Sequence, residues 1–393
     1  MTVCLKFSMA RVAAILLGLA LIAVFVIASC TPPVVSMNSE YKNKLEALSL
    51  GPSYAAHPLL RGYIASAIPA LKVPVRRSSG ERERIEMNDG GVAILHWWSV
   101  VQSKTLSSKR PVVLVVHGMT ANSDAPPMQY LMKHIEETGF EAVAINMRGH
   151  GLDNTVTTGR KIYAYRMDDD LLAACEHIRR TRCPPYLYAI GLSVGANQLV
   201  CFLGNGGCSL IDAAVSISNP FDFKQIQLLF RNGIPRVVSI GFAEALKRMV
   251  RSERYSLVGG DLPLTASQLR DALHCLDVEA FDKIVQVPIH GLINVDEYYT
   301  WCSSLHAIPQ ITVPLLVIHG KDDPLIPLHA FEAAYDATRD NPNIFVIATE
   351  RGGHLGWSTG SLFSGHSWAD SVSAMFFKNI FERTQYTPTL QPA

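Results

Sequence analysis

Pro111-Val112-Val113-Leu114-Val115-Val116 leaves this chain few ways to fold. A short apolar run with no polar side, bounded by polar residues, reads as a strand buried on both faces. Five further strands are predicted at Glu141–Ile145, Tyr186–Ile190, Ala213–Ile217, Leu315–Ile318 and Ile344–Ile347. Between the first two, Met128, Leu131, Met132 and Ile135 recur at helical spacing, and Gly139 ends the pattern. Asp168, Asp169 and Asp170 then open a helix through Arg179, with acids at the positive end of its dipole. Strands alternating with helices predict a mostly parallel, doubly wound sheet. Upstream, Arg84–Met87 and Val92–Leu95 flank Asn88-Asp89-Gly90-Gly91, the pattern of a hairpin. From about 221 to 312 the alternation is lost, and this stretch reads as a helical cap inserted over the carboxyl edge of the sheet.

Gly191-Leu192-Ser193-Val194-Gly195 sits between the strand ending at Ile190 and the helical Ala196–Val200. A serine between small residues on a strand-to-helix turn is presented with its hydroxyl exposed. The N-terminus of the following helix offers N–H donors to a developing oxyanion. A serine hydroxyl needs a base, and the base needs an acid to orient it. In this arrangement the chain order is serine, acid, histidine. Strand Leu315–Ile318 runs into His319-Gly320-Lys321-Asp322-Asp323-Pro324, which offers Asp323 as the acid and Asp322 as the alternative. The last strand runs into Thr349-Glu350-Arg351-Gly352-Gly353-His354, and of 13 histidines only His354 has this placement. The backbone N–H groups of Met119, after the first central strand, and of Val194 are the expected oxyanion donors. His117 is expected to support that loop rather than to move protons.

Val12 to Cys30 is a run of 19 residues without a charge, preceded by Lys6 and Arg11. About 20 apolar residues span a bilayer as a helix. The charge asymmetry predicts a signal-anchor with the body outside the cytoplasm or in a lumen. Two alternatives stay open: a cleaved signal peptide, and a bacterial lipoprotein lipidated at Cys30 after Ile27-Ala28-Ser29. The expected organisation is an anchor or signal segment at 1–30, a tether and N-terminal extension at 31–80, a catalytic domain at 81–380 and a tail at 381–393. Basic and acidic side chains number 35 and 34, which argues against a charge-driven nucleic-acid binder. With 48% hydrophobic and 18% charged residues, wholesale disorder is excluded. The eight cysteines form no C-x-x-C pair, so a zinc site is not expected.

Together these residues resemble the α/β-hydrolase superfamily, and more narrowly its AB-hydrolase family four, the membrane-anchored acylglycerol lipase and medium-chain esterase type. The resemblance spans roughly residues 55–380. It rests on Asp89-Gly90-Gly91 with Leu95-His96-Trp97, on Met147-Arg148-Gly149-His150-Gly151, on Val295-Asp296-Glu297-Tyr298-Tyr299 before Ser303-Ser304, and on Gly352-Gly353-His354-Leu355-Gly356-Trp357. His96 stands where the family usually has aspartate, and Ala196 where it has a second glycine. The resemblance implies hydrolysis of lipid or small acyl esters, an N-terminal anchor at residues 12–30, and no metal or organic cofactor. Acyl transfer to an alcohol and a non-enzymatic interaction role are the competing functions. Residues 222–256 carry seven basic against three acidic side chains. Phe242, Leu246, Met249 and Val250 form an apolar stripe there, expected either to pack on the core or to lie on a membrane, with Lys247, Arg248 and Arg251 beside it.

Overall fold

The computed structural model describes residues 35–36, 60–75, 80–98, 110–150, 162–257, 264–359 and 361–386. Among the described residues there are nine strands: β1 (Val35–Ser36), β2 (Arg82–Glu86), β3 (Val92–Trp97), β4 (Val112–Val116), β5 (Glu141–Asn146), β6 (Leu187–Leu192), β7 (Ala213–Ile217), β8 (Leu315–Gly320) and β9 (Ile344–Thr349). They form one sheet in the order β1-β9-β8-β7-β6-β4-β5-β3-β2. From β5 through β9 every pairing is parallel. The β2–β3 hairpin and β1 close the two edges antiparallel.

Central strands β4, β6 and β7 are buried along their whole length, because helices cover both faces. One face carries α2 (Pro126–Glu137) and α12 (Trp368–Tyr386). The other carries α3 (Asp168–Arg182), α4 (Val194–Gly204), α11 (Leu328–Thr338) and the cap. A buried Arg148 joins Asp170 at 2.5 Å to Asp89 at 2.7 Å, tying α3 to the hairpin turn and the end of β5. Upstream of the hairpin, α1 (Gly62–Leu71) packs beside α2. Residues 12–30 lie outside the described residues. Among those described, no helix is long and apolar enough to cross a membrane.

The described residues between β7 and β8 are mostly helical. It contains α5 (Phe223–Phe230), α6 (Gly233–Leu257), α7 (Ala266–His274), α8 (Val278–Phe281), a π turn (Asp282–Gln286), α9 (Val287–Ile289) and α10 (Val295–Cys302). Leu246, Met249 and Val250 are buried in the core, so this part of the α6 stripe is packing rather than a free face. Of the three basic residues beside that stripe, Lys247 does not face solvent. Lys247 is buried, pairs with Glu244 and donates to the Cys275 carbonyl at 2.8 Å, which satisfies the charge inside the cap. Arg248 and Arg251 are exposed.

Candidate active site

Ser193 is the residue before α4, with φ 54° and ψ −121°. A side chain rarely adopts that backbone, and the surroundings enforce it. The Ser193 N–H donates to the Ile217 carbonyl at 2.9 Å, pinning the turn to β7. A Cβ at Gly191 would stand 2.5 Å from the Ala196 Cα, and one at Gly195 would collide with the carbonyl oxygens of Val116 and His117. Both glycines are therefore required by close main-chain approach. The turn is stacked on the end of β4 and holds the hydroxyl above the carboxyl edge of the sheet.

His354 reaches this hydroxyl from the loop after β9. Its Nε2 lies 2.8 Å from Ser193 Oγ, and its Nδ1 lies 2.8 Å from Asp323 Oδ2. The other oxygen of Asp323 accepts the backbone N–H groups of Leu325 at 2.9 Å and Ile326 at 3.2 Å. An acceptor-only carboxylate at Nδ1 favours the tautomer with its proton there, leaving Nε2 free to accept from the serine. Asp322 points elsewhere. Its carboxylate accepts the N–H groups of Gly62 and Gly353, each at 2.8 Å.

Gly118 packs against the serine, where an added Cβ would lie 3.2 Å from Ser193 Cβ. Met119 and Val194 line the same cavity as Ser193 and His354. Val194 opens α4, so its N–H is among the first-turn donors without an acceptor inside the helix. His117 is buried beneath this loop. It donates from Nδ1 to the Gly118 carbonyl at 2.7 Å, and its Nε2 accepts the Met147 N–H at 3.1 Å. Burial, with His150 beside it, pushes its pKa down to about 3, so it stays neutral and holds the loop to the end of β5.

The cavity over Ser193 measures about 770 Å³. Phe223, Phe230 and Phe242 of the cap line it on one side, and Pro69 of α1 and Trp357 on another. Tyr165 and Tyr299 also face it, and both hydroxyls donate to Asp282 Oδ2 at 3.0 Å. The Tyr165 N–H donates to the Tyr298 hydroxyl at 3.3 Å. The Tyr298-Tyr299 pair thus binds the cap to the segment leading into α3. Burial pushes the Asp282 pKa up to about 8, so this carboxyl is a neutral acid at neutral pH. Sequence reasoning missed Asp282 and Tyr165. No motif surrounds them, and only the packing of a π turn against the bend before α3 brings them together.

Residues 107–354 match the family described as serine aminopeptidase, S33. The chain is 27% identical over 376 residues to the embryogenesis-associated protein EMB8 of Picea glauca, covering 92% of this chain and 79% of that one. It is 28% identical over 275 residues to the monoacylglycerol lipase of Saccharomyces cerevisiae, covering 68% and 59%. Among solved structures, the uncomplexed acylaminoacyl peptidase of Pyrococcus horikoshii superposes with a TM-score of 0.50 at 17% identity, over 84% of this chain and 45% of that one, a likeness of fold. The match extends from just before β4 to the histidine that reaches Ser193, and it places the chain in the serine aminopeptidase S33 family, within the α/β-hydrolases.

Proposed function

We propose that this carboxylic ester hydrolase cleaves lipid acyl esters, such as monoacylglycerols or medium-chain esters, through a covalent acyl-enzyme on Ser193. The observation that carries the reading is the chain of two 2.8 Å contacts from Asp323 through His354 to Ser193 Oγ, opening on a large apolar cavity. The ester carbonyl would sit against the N–H groups of Met119 and Val194. Ser193 attacks while His354 takes its proton, and Asp323 stabilises the imidazolium. The alcohol leaves with that proton, water enters through the same histidine, and the acid departs. Each oxyanion donor is expected to lower the barrier by about 3 kcal/mol.

The cavity favours an acyl chain over a polar substrate because aromatic rings of the cap line it. The similarity to a yeast monoacylglycerol lipase supports the same substrate class. Residues 81–380 are proposed as the catalytic domain, with the cap at about 221–312, and residues 12–30 as a membrane tether. The test is to react the full chain with a fluorophosphonate probe and to assay monoacylglycerols beside a chain-length series of soluble esters. Labelling at Ser193 that disappears in Ser193→Ala, with turnover rising toward medium-chain esters, is the expected result. Undiminished ester turnover in Ser193→Ala would overturn the assignment.

A further inference from the structure

We propose that Ser66 of α1 and Asp322 are positioning residues for His354, so that α1 is part of the catalytic apparatus. The inference rests on the triad reading above. α1 precedes the residues matched by the family model, which begin at 107.

The loop that carries His354 is irregular. Gly353 and Leu355 both have positive φ, at 54° and 61°. Such a backbone cannot place its N–H groups in a helix or a ladder, and buried N–H groups need acceptors. Here three consecutive N–H groups go to side chains. Gly353 donates to Asp322 Oδ1 at 2.8 Å, His354 to Ser66 Oγ at 2.7 Å, and Leu355 to Ser218 Oγ at 3.2 Å. Two of the three acceptors are themselves tied to the start of α1. The second oxygen of Asp322 accepts the Gly62 N–H at 2.8 Å, and the Ser66 hydroxyl donates to the Gly62 carbonyl at 2.7 Å. Asp322 therefore bridges α1 and the histidine loop with one carboxylate. It also places negative charge at the helix N-terminus, where the dipole favours it.

Contact between α1 and the loop leaves no slack. A Cβ at Gly353 would stand 2.6 Å from the Gly62 carbonyl oxygen and 2.7 Å from Ser66 Oγ. One at Gly356 would collide with the Ala65 carbonyl. The backbone of His354 is thus held from behind by α1 while its ring makes two 2.8 Å contacts in front. Catalytic groups must be held within about 0.5 Å of productive geometry, and a displacement of about 1 Å costs on the order of 100-fold.

The experiment uses the full chain and compares Ser66→Ala and Asp322→Asn with wild type and with Tyr63→Ala on the outer side of α1. A soluble short-chain p-nitrophenyl ester is the substrate, and active sites are titrated with a fluorophosphonate. Ser66→Ala and Asp322→Asn are each expected to lower kcat per titrated site by about 10- to 100-fold, with KM within about threefold. Tyr63→Ala is expected to stay within about twofold of wild type. A merely structural role would instead reduce the number of titratable sites at unchanged kcat per site, and that result overturns the proposal. If one variant does not fold, the other decides by the same measure. Failure of wild type to label would overturn the triad reading itself, and the positioning role with it.

Discussion

At the level of single residues, the site depends on which of two adjacent aspartates faces the imidazole. Spacing alone admits both Asp322 and Asp323, because a turn can present either. Leu325 and Ile326 separate them by donating two N–H groups to Asp323 Oδ1, which directs the other oxygen at His354. Asp323→Asn would put an amide N–H against Nδ1 and favour the wrong tautomer, with the proton on Nε2 facing the serine. Turnover should fall by about 10⁴ with the fold intact. Steady-state kinetics with circular dichroism would check this, and a loss below tenfold would count against Asp323 as the acid. Gly195→Ala should fail differently. Its Cβ would strike main-chain oxygens of Val116 and His117, which cannot move without shifting β4. Loss of both thermal stability and fluorophosphonate labelling is expected, whereas a stable, fully labelled variant would show that the turn has room.

At the level of elements, the central strands were legible in the sequence because burial on both faces leaves an unbroken apolar signature. The elbow and His354 were legible because their glycines stand where backbones meet. The cap was legible only as helical. Its helices pack against one another and against the body, so one apolar stripe does not tell which side it meets. Lys247 shows the difficulty: its charge suggested solvent, yet a carbonyl and Glu244 hold it inside. The same holds for α1, whose importance lies in contacts far along the chain. Asp282 yields an element-scale prediction. With its pKa pushed up to about 8, the folded cap holds a proton that the unfolded chain releases near pH 4. The stability it contributes is complete below about pH 4 and is lost as pH rises toward 8, by at most about 1.4 kcal/mol per pH unit. Asp282→Asn keeps an acceptor for Tyr165 and Tyr299 but cannot ionise. Its melting temperature should therefore fall less than that of wild type between pH 6 and pH 9. Parallel melting curves across that range would show that Asp282 does not carry the dependence.

At the level of the whole molecule, one sheet places Ser193, Asp323 and His354 at or just beyond the ends of β6, β8 and β9, and Phe223, Phe230 and Phe242 of the cap line the cavity above them. Leu228 of α5 is 51% exposed, and Ile234, Val237 and Ile240 of α6 are 59%, 67% and 40% exposed. The last three recur every third residue and so share one side of the helix. Single exposed apolar residues are ordinary, but a group of them on one surface marks a contact site. Here Phe230 and Arg231 at the end of α5 and Arg236 of α6 line the cavity, so the apolar lip adjoins the cavity over Ser193. Such a lip would suit substrates presented in a lipid aggregate, where its apolar side chains would enter the acyl layer. The paired change Ile234→Glu with Val237→Glu separates this role from catalysis, since neither residue lines the cavity. Turnover of a soluble short-chain ester by the full chain should stay within about twofold. Turnover of a monoacylglycerol carried in anionic vesicles should fall at least about tenfold, because two carboxylates would have to leave water to enter the acyl layer. If the ratio of the two activities is unchanged, the lip is ordinary surface and substrate reaches the cavity from solution.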